Sequence, residues 1–128
     1  KARYYLDKVG LASKEKSRHN ELSGGEQQRI AIARALMMSP EALLLDEITS
    51  ALDPEMTREV LNILVNLAKE GVCMLCVTHE MSFAKEVASR ILFMEGGKLV
   101  CDVSKDDFFG SVREENERIN KFLSFIGE

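Results

Sequence analysis

Hydrophobic positions along the chain switch between a helical and a strand-like spacing, and the switches mark out an alternation of helices and short strands. Leu6, Val9 and Leu11 space an apolar face on a short first helix, which Gly10 should end by supplying the left-handed residue past its last turn. Ser13 to Glu21 is polar and without periodicity, and reads as a surface loop. Ser23-Gly24-Gly25-Glu26 has the form of a capping box, and Ile30, Ala33, Leu36 and Met37 follow at helical spacing as far as Pro40. A second helix therefore begins at about Gly24.

Ala42-Leu43-Leu44-Leu45 is all apolar and ends in Asp46 and Glu47, the pattern of a strand buried on both faces with acids at its carboxyl end. Asp53-Pro54-Glu55 is a helix start: Asp at the N-cap, Pro in the first helical position, an acid in the first turn. Met56, Val60, Ile63, Leu64 and Leu67 mark that helix's buried face, and Gly71 closes it. Val72 to Val77 predicts a second buried strand, followed by Thr78-His79-Glu80. Strand, crossover helix and strand make a parallel unit.

Ser82 to Val87 predicts a short helix and Ile91 to Met94 a third buried strand. Glu95-Gly96-Gly97-Lys98 is a hairpin turn, since two glycines tolerate the positive φ that tight loops require, and Leu99 to Val103 returns antiparallel. Ser104 to Phe109 starts another helix that stops at Gly110, and Ile119, Phe122, Leu123 and Ile126 give an amphipathic C-terminal helix. The fold class is α/β.

The chain has 128 residues, with 17 basic and 21 acidic side chains and a net charge of −4. Its hydrophobic fraction of 45% fits a folded, water-soluble domain. The longest uncharged apolar run, Val72 to Val77, falls far short of the ~18 residues of a membrane span. A mild acidic excess argues against nucleic acid as a partner, because that binding rests on clustered Lys and Arg. Lys1-Ala2-Arg3-Tyr4-Tyr5 carries neither an initiator Met nor a signal peptide and reads as an internal cut. Three Cys, an odd number, favour a reducing compartment over a disulfide framework.

Asp46 and Glu47 stand where α/β sheets place their ligands, beyond the carboxyl ends of strands. As strand-end neighbours they can do different work, one at a Mg²⁺ and one at a water, or they can simply be solvated acids. His79 follows the next strand, and strands ~4.8 Å apart would bring all three to one site; alone it reads as a loop residue. Ser23-Gly24-Gly25 offers a hydroxyl, unobstructed N–H groups and a helix dipole to an anion, although ordinary capping explains it too. Cys73 and Cys76 spell C-x-x-C, yet inside a strand they point to opposite faces, which makes them core residues rather than ligands. The nearest approach to a phosphate-binding loop, Gly10 to Ser17, fails because Glu15 stands where the second Gly is required.

Taken together, Leu22-Ser23-Gly24-Gly25-Glu26-Gln27-Gln28-Arg29, Leu43-Leu44-Leu45-Asp46-Glu47, Ser50-Ala51-Leu52-Asp53 and Thr78-His79-Glu80 resemble the ATP-binding subunits of ABC transporters. They match the signature motif, Walker B with its following Glu, D-loop and H-loop, in family order. Thr78 to Ala88 and Phe93 to Lys98 look most like the bacterial importers of polar amino acids, the glutamine type. Ile48 stands where the family usually has Pro, and the adenine-stacking aromatic residue, the Walker A loop and the Q-loop have no counterpart in the chain.

The resemblance implies the second half of a P-loop NTPase (RecA-like) core with a mostly parallel sheet, a C-terminal hairpin and flanking helices. Residues 1–24 would end the helical subdomain and 25–128 would form the later part of the ATPase core. It further implies ATP and Mg²⁺ as cofactors, with Asp46 at the metal, Glu47 as general base and His79 at the γ-phosphate. Ser23, Gly24, Gly25, Glu26 and Gln27 would contact the ATP of a second ATPase subunit in a homodimer, and Ser50, Ala51, Leu52 and Asp53 would line that interface. The implied partners are transmembrane permease subunits and, indirectly, a periplasmic or surface substrate-binding protein, at the cytoplasmic face of the bacterial plasma membrane. An ABC-type ATPase of DNA repair or chromosome maintenance and a non-catalytic interaction module are the alternatives; the former is disfavoured because no sustained heptad adjoins Leu22.

Overall fold

A seven-residue helix, α1 (Ala2–Lys8), opens the chain and ends where Gly10 takes φ +75°, as its sequence position required. The structure is a computed structural model that describes residues 1–127. Between α1 and the next helix the polar segment is not an open loop: two single turns of 3₁₀ helix, Ala12–Lys14 and His19–Glu21, tighten it. Helix α2 (Gly24–Met37) starts on Ser23 and stops short of Pro40, with Ser39 in the left-handed region at φ 51°. Ile32, Ala33 and Leu36 are its buried apolar side chains, while Met37 is exposed.

Strand β1 (Leu43–Asp46), helix α3 (Pro54–Lys69) and strand β2 (Met74–Val77) form the expected unit, with β1 and β2 parallel and Leu44 in register with Leu75 and Asp46 with Val77. Asp53 caps α3, its Oδ1 accepting the Met56 N–H at 2.8 Å, and Gly71 follows the helix at φ +86°. Val60, Leu64 and Leu67 are buried on α3, and α2 packs against both α1 and α3.

The strands are not buried on both faces. Leu43 is 4% exposed and its neighbour Leu44 77%, and Leu75 and Val77 on β2 are exposed as well. Side chains alternate across a strand, so one face of the β1–β2 sheet carries Leu43, Leu45, Met74 and Cys76 inward and the other presents Leu44, Asp46, Leu75 and Val77 outward. Cys73 is exposed rather than in the core, and Cys76 is half-buried, which pushes its thiol pKa up.

The chain divides into two compact units, between Thr78 and His79. The second unit begins with α4 (Met81–Val87) and continues with the antiparallel ribbon β3 (Arg90–Glu95) and β4 (Lys98–Ser104). Gly96 and Gly97 turn the ribbon with φ of 58° and 75°, as predicted for a tight hairpin. Among the described residues β3 pairs with β4 alone. It too is covered on one side only, with Phe93 buried and Leu92 and Met94 exposed.

Ser104 caps the next turn through the Asp107 N–H, but the helix does not run to Phe109. After α5 (Lys105–Asp107) the backbone widens into a π turn, Phe108–Val112, with Gly110 at φ −105° and ψ −106°, before α6 (Arg113–Glu115). Helix α7 (Glu117–Phe125) starts on Asn116 and buries Ile119 and Leu123. These two pack with Phe93 and Phe108 into the core of this unit. The Phe93 and Phe122 rings meet edge-on, 5.3 Å between centroids, a geometry that contributes about 0.5–1.5 kcal/mol beyond the area it buries.

Candidate functional site

The start of α2 is a closed capping box. Ser23 N–H donates to Glu26 Oε1 at 3.0 Å and Glu26 N–H donates to Ser23 Oγ at 3.1 Å. The N–H from Ser23, with Lys14 4.0 Å from the other carboxylate oxygen, holds the Glu26 carboxyl below the usual carboxylate range. Gln27 turns back and donates to the carbonyls of His19 and Leu22 at 3.0 and 3.2 Å. Glu26 and Gln27, both expected to bind nucleotide, thus have side chains engaged in holding the preceding turn.

Gly24 and Gly25 keep N–H groups that no bond of this cap occupies, at the positive end of a 14-residue helix. Ser23 accepts one bond through its oxygen and still has a proton to donate. The turn is therefore able to receive an anion.

The carboxyl end of β1 is built by backbone bonds. Glu47 N–H donates to Val77 O at 2.8 Å, and Glu47 O accepts the Ser50 N–H at 3.2 Å. Glu47 stands at φ 47°, an uncommon conformation for a residue with a side chain. Asp46 and Glu47 are both exposed. Beyond them Thr49 is buried, its carbonyl accepting the Leu52 N–H at 3.1 Å. Ser50, Ala51 and Asp53 are exposed and Leu52 is half-buried. Asp53, expected at an interface, uses one oxygen to cap α3.

Among the described residues no group of three or more His, Cys, Asp or Glu could hold a metal ion alone. A single strand-end carboxylate such as Asp46 nonetheless suits Mg²⁺, which keeps waters and phosphate oxygens in its shell and takes few protein ligands.

His79, also exposed, is the first residue of the second unit, two positions after β2. The first unit therefore holds Ser23 to Gln27, Asp46, Glu47 and Ser50 to Asp53, and His79 belongs to the second. Three features escaped the sequence. The left-handed Glu47 has no residue-type signal, and neither has the burial of Thr49. Arg29 reaches from α2 to Val9 O at 3.2 Å and to Glu59 Oε2 at 3.5 Å, with its Nε buried and unpartnered.

Residues 1–50 match the family model described as ABC transporter. The chain is 54% identical over 98% of its length to the glutamine transport ATP-binding protein GlnQ of Bacillus subtilis, covering 51% of that protein. It is 52% identical, again over 98% of its length, to the glutamate/aspartate import ATP-binding protein GltL of Escherichia coli K12, covering 52% of it. Among solved structures it superimposes on MJ1267, an ATP-binding cassette of an ABC transporter, with a TM-score of 0.79 at 20% identity, over 95% of this chain and 48% of that one. A transporter described as metal-chelate type and inward-facing gives a TM-score of 0.76 at 30% identity, over 87% of this chain and 44% of that one. The chain thus spans about half the length of the curated relatives it matches. The α/β fold is that of the P-loop NTPases, and over nearly its whole length the chain is similar to the ATP-binding proteins of ABC transporters.

Proposed function

We propose that this chain supplies the signature, Walker B, D-loop and H-loop half of an ATPase subunit that couples ATP hydrolysis to the import of polar amino acids. The observation that carries the reading is the pair Asp46 and Glu47 at the exposed carboxyl end of β1, where Glu47 leaves extended geometry at φ 47°. Identity with GlnQ and GltL supports the transport role and the substrate class, and speaks against chromosome maintenance. Residues 1–24 then derive from the helical subdomain and 25–128 from the ATPase core.

In this reading Asp46 would hold a Mg²⁺, which would supply charge neutralisation to the phosphates of ATP. Glu47 accepts the proton of the attacking water, and His79 donates to the γ-phosphate. Ser23, Gly24 and Gly25 present a hydroxyl and two N–H groups to the γ-phosphate of ATP held by a second subunit, while Glu26 and Gln27 shape the turn that does so. Ser50 to Asp53 line the contact between the subunits. Phosphoryl transfer is mostly positioning and charge stabilisation, so a chain without a phosphate-cradling loop should neither bind nor hydrolyse ATP appreciably by itself.

No described helix is long and apolar enough to cross a membrane. The likeness to transport ATP-binding proteins supports a subunit that works against transmembrane permease subunits, on the cytoplasmic face of the bacterial membrane and fed by a substrate-binding protein outside. The test is steady-state ATPase activity of the full-length subunit carrying Glu47→Gln. Loss of turnover with ATP binding retained supports the assignment, and near-normal turnover overturns it.

A further inference from the structure

The glycines of the α2 start are pressed against the segment that follows β1. A Cβ on Gly25 would lie 3.1 Å from Met56 Cβ and 3.2 Å from Met56 Cγ, and a Cβ on Gly24 would lie 3.3 Å from Leu52 Cδ2. Contacts at 3.1 Å are tighter than a methyl and a methylene ordinarily make, so a side chain at residue 25 would push Met56 away by a few tenths of an ångström. Gly25 is buried and Met56 half-buried.

Met56 is itself fixed. It lies in the first turn of α3, where its N–H donates to the Asp53 cap. Leu52 is tied on both sides, through its N–H to Thr49 O and through its carbonyl, which accepts Thr57 Oγ1 at 3.5 Å. Two helix starts are thereby docked on each other: Ser23-Gly24-Gly25 on one side, and on the other the end of the segment that runs from Glu47 through Thr49 to Met56.

We propose that Met56 is a positioning residue for the Ser23-Gly24-Gly25 turn, setting its place relative to residues 50–53. The inference rests on the function proposed above. Gly25 is needed for its fit against Met56 within the chain, and not only for access of a phosphate from outside. Residues 23–25 and 50–53 therefore shift as one body, so that the surface offered to a second subunit is set from within the first.

The experiment is a double-substitution cycle in the full-length ATPase subunit, with Gly25→Ala, Met56→Ala, the combination, and Met56→Leu as the conservative control. Steady-state kcat and KM for ATP are read beside the melting temperature. Gly25→Ala should lower kcat by roughly tenfold or more, and the added Met56→Ala should return at least a third of the loss on the logarithmic scale, because it opens the space the new methyl needs. Met56→Ala alone should lower kcat with KM for ATP unchanged, and Met56→Leu should keep kcat within about twofold of the parent.

Additive kcat effects, with no rescue, overturn the positioning role even if the melting temperatures couple, because the contact would then be packing only. A Met56→Ala protein with parental kcat overturns it as well. An unsubstituted subunit without ATPase activity overturns the proposed function and the positioning role together, a result distinguishable from additive substitutions in an active enzyme.

Discussion

The Glu47 N–H donates to the Val77 carbonyl at 2.8 Å, one residue beyond the last registered pair of the parallel ladder, Asp46 with Val77. That bond carries the pairing past the end of β1 into a residue whose φ of 47° belongs to no strand. The side chain of Glu47 is therefore re-aimed relative to Asp46 by the backbone.

Two substitutions separate the chemistry of Glu47 from its conformation. If Glu47 is the general base, as proposed, Glu47→Gln in the full-length subunit should lower kcat by roughly 10²–10⁴-fold, the range of such a loss, with ATP still bound. Glu47→Gly should be equally inactive, yet should not show the loss of roughly 0.5–1 kcal/mol that a new glycine causes in a regular element, because the left-handed position already suits it. Urea unfolding reads the second effect, and a clear destabilisation would mean that contacts of the Glu47 side chain outweigh the relief of its backbone. Asp46→Asn should instead raise the Mg²⁺ concentration required for half-maximal activity.

The capping box predicts a pH dependence with a definite sign. The Glu26 carboxyl is held below its ordinary range, first by the Ser23 N–H and then with help from Lys14. A depressed folded-state pKa contributes stability above the unfolded-state value and loses it as pH falls through the folded one. Glu26→Gln keeps an acceptor for the Ser23 N–H but removes the charge. The stability difference between parent and variant should thus shrink as pH is lowered through and below the carboxylate range. Urea midpoints at neutral and acidic pH that differ by a constant amount would refute it.

Ser39 is the second residue with a side chain at positive φ, 51°, just past the end of α2. Its N–H donates to Leu36 O at 3.0 Å, a C-terminal turn that glycine occupies without strain. Ser39→Gly should stabilise the chain by up to about 1 kcal/mol, the relief of left-handed strain less the entropy a glycine loses on folding. The exposed bond that Ser39 Oγ accepts from Lys1 Nζ offsets little of this. A lower urea midpoint in the variant would show that this bond matters more than the backbone.

Much of the fold was legible because it rests on local chemistry. Ser23, Asp53 and Ser104 each cap the helix start their spacing announced, and Gly10, Gly71, Gly96 and Gly97 each take the positive φ their positions required. The burial of the strands was not legible, since Leu43 and Leu44 are the same residue type and only the surrounding layers decide which is covered. Nor could the candidate site be read in full. The acids at the end of β1 stand out by position, but the left-handed conformation of Glu47 has no signal in its residue type, and the fit of Gly25 depends on Met56 across two helix starts. Glu26 and Gln27 illustrate the converse: both lie in a recognisable motif, yet their side chains are used to build the turn.

The outward face of the β1–β2 sheet sets Leu44 beside Leu75 in register, 77% and 55% exposed, with Val77 also exposed. Parallel sheets are normally covered on both faces, and contiguous exposed apolar side chains favour association. The 128-residue chain by itself should therefore sediment above monomer mass at high concentration. Leu44→Lys combined with Leu75→Glu places opposite charges on registered neighbours of the open face, so the pair should not repel. Because neither side chain is buried, stability should stay within about 0.5 kcal/mol of the parent, while sedimentation shifts toward the monomer. A parent that is monomeric at every concentration would show that the apolar face does not drive association. A double variant that fails to fold would show that the face is packed in solution.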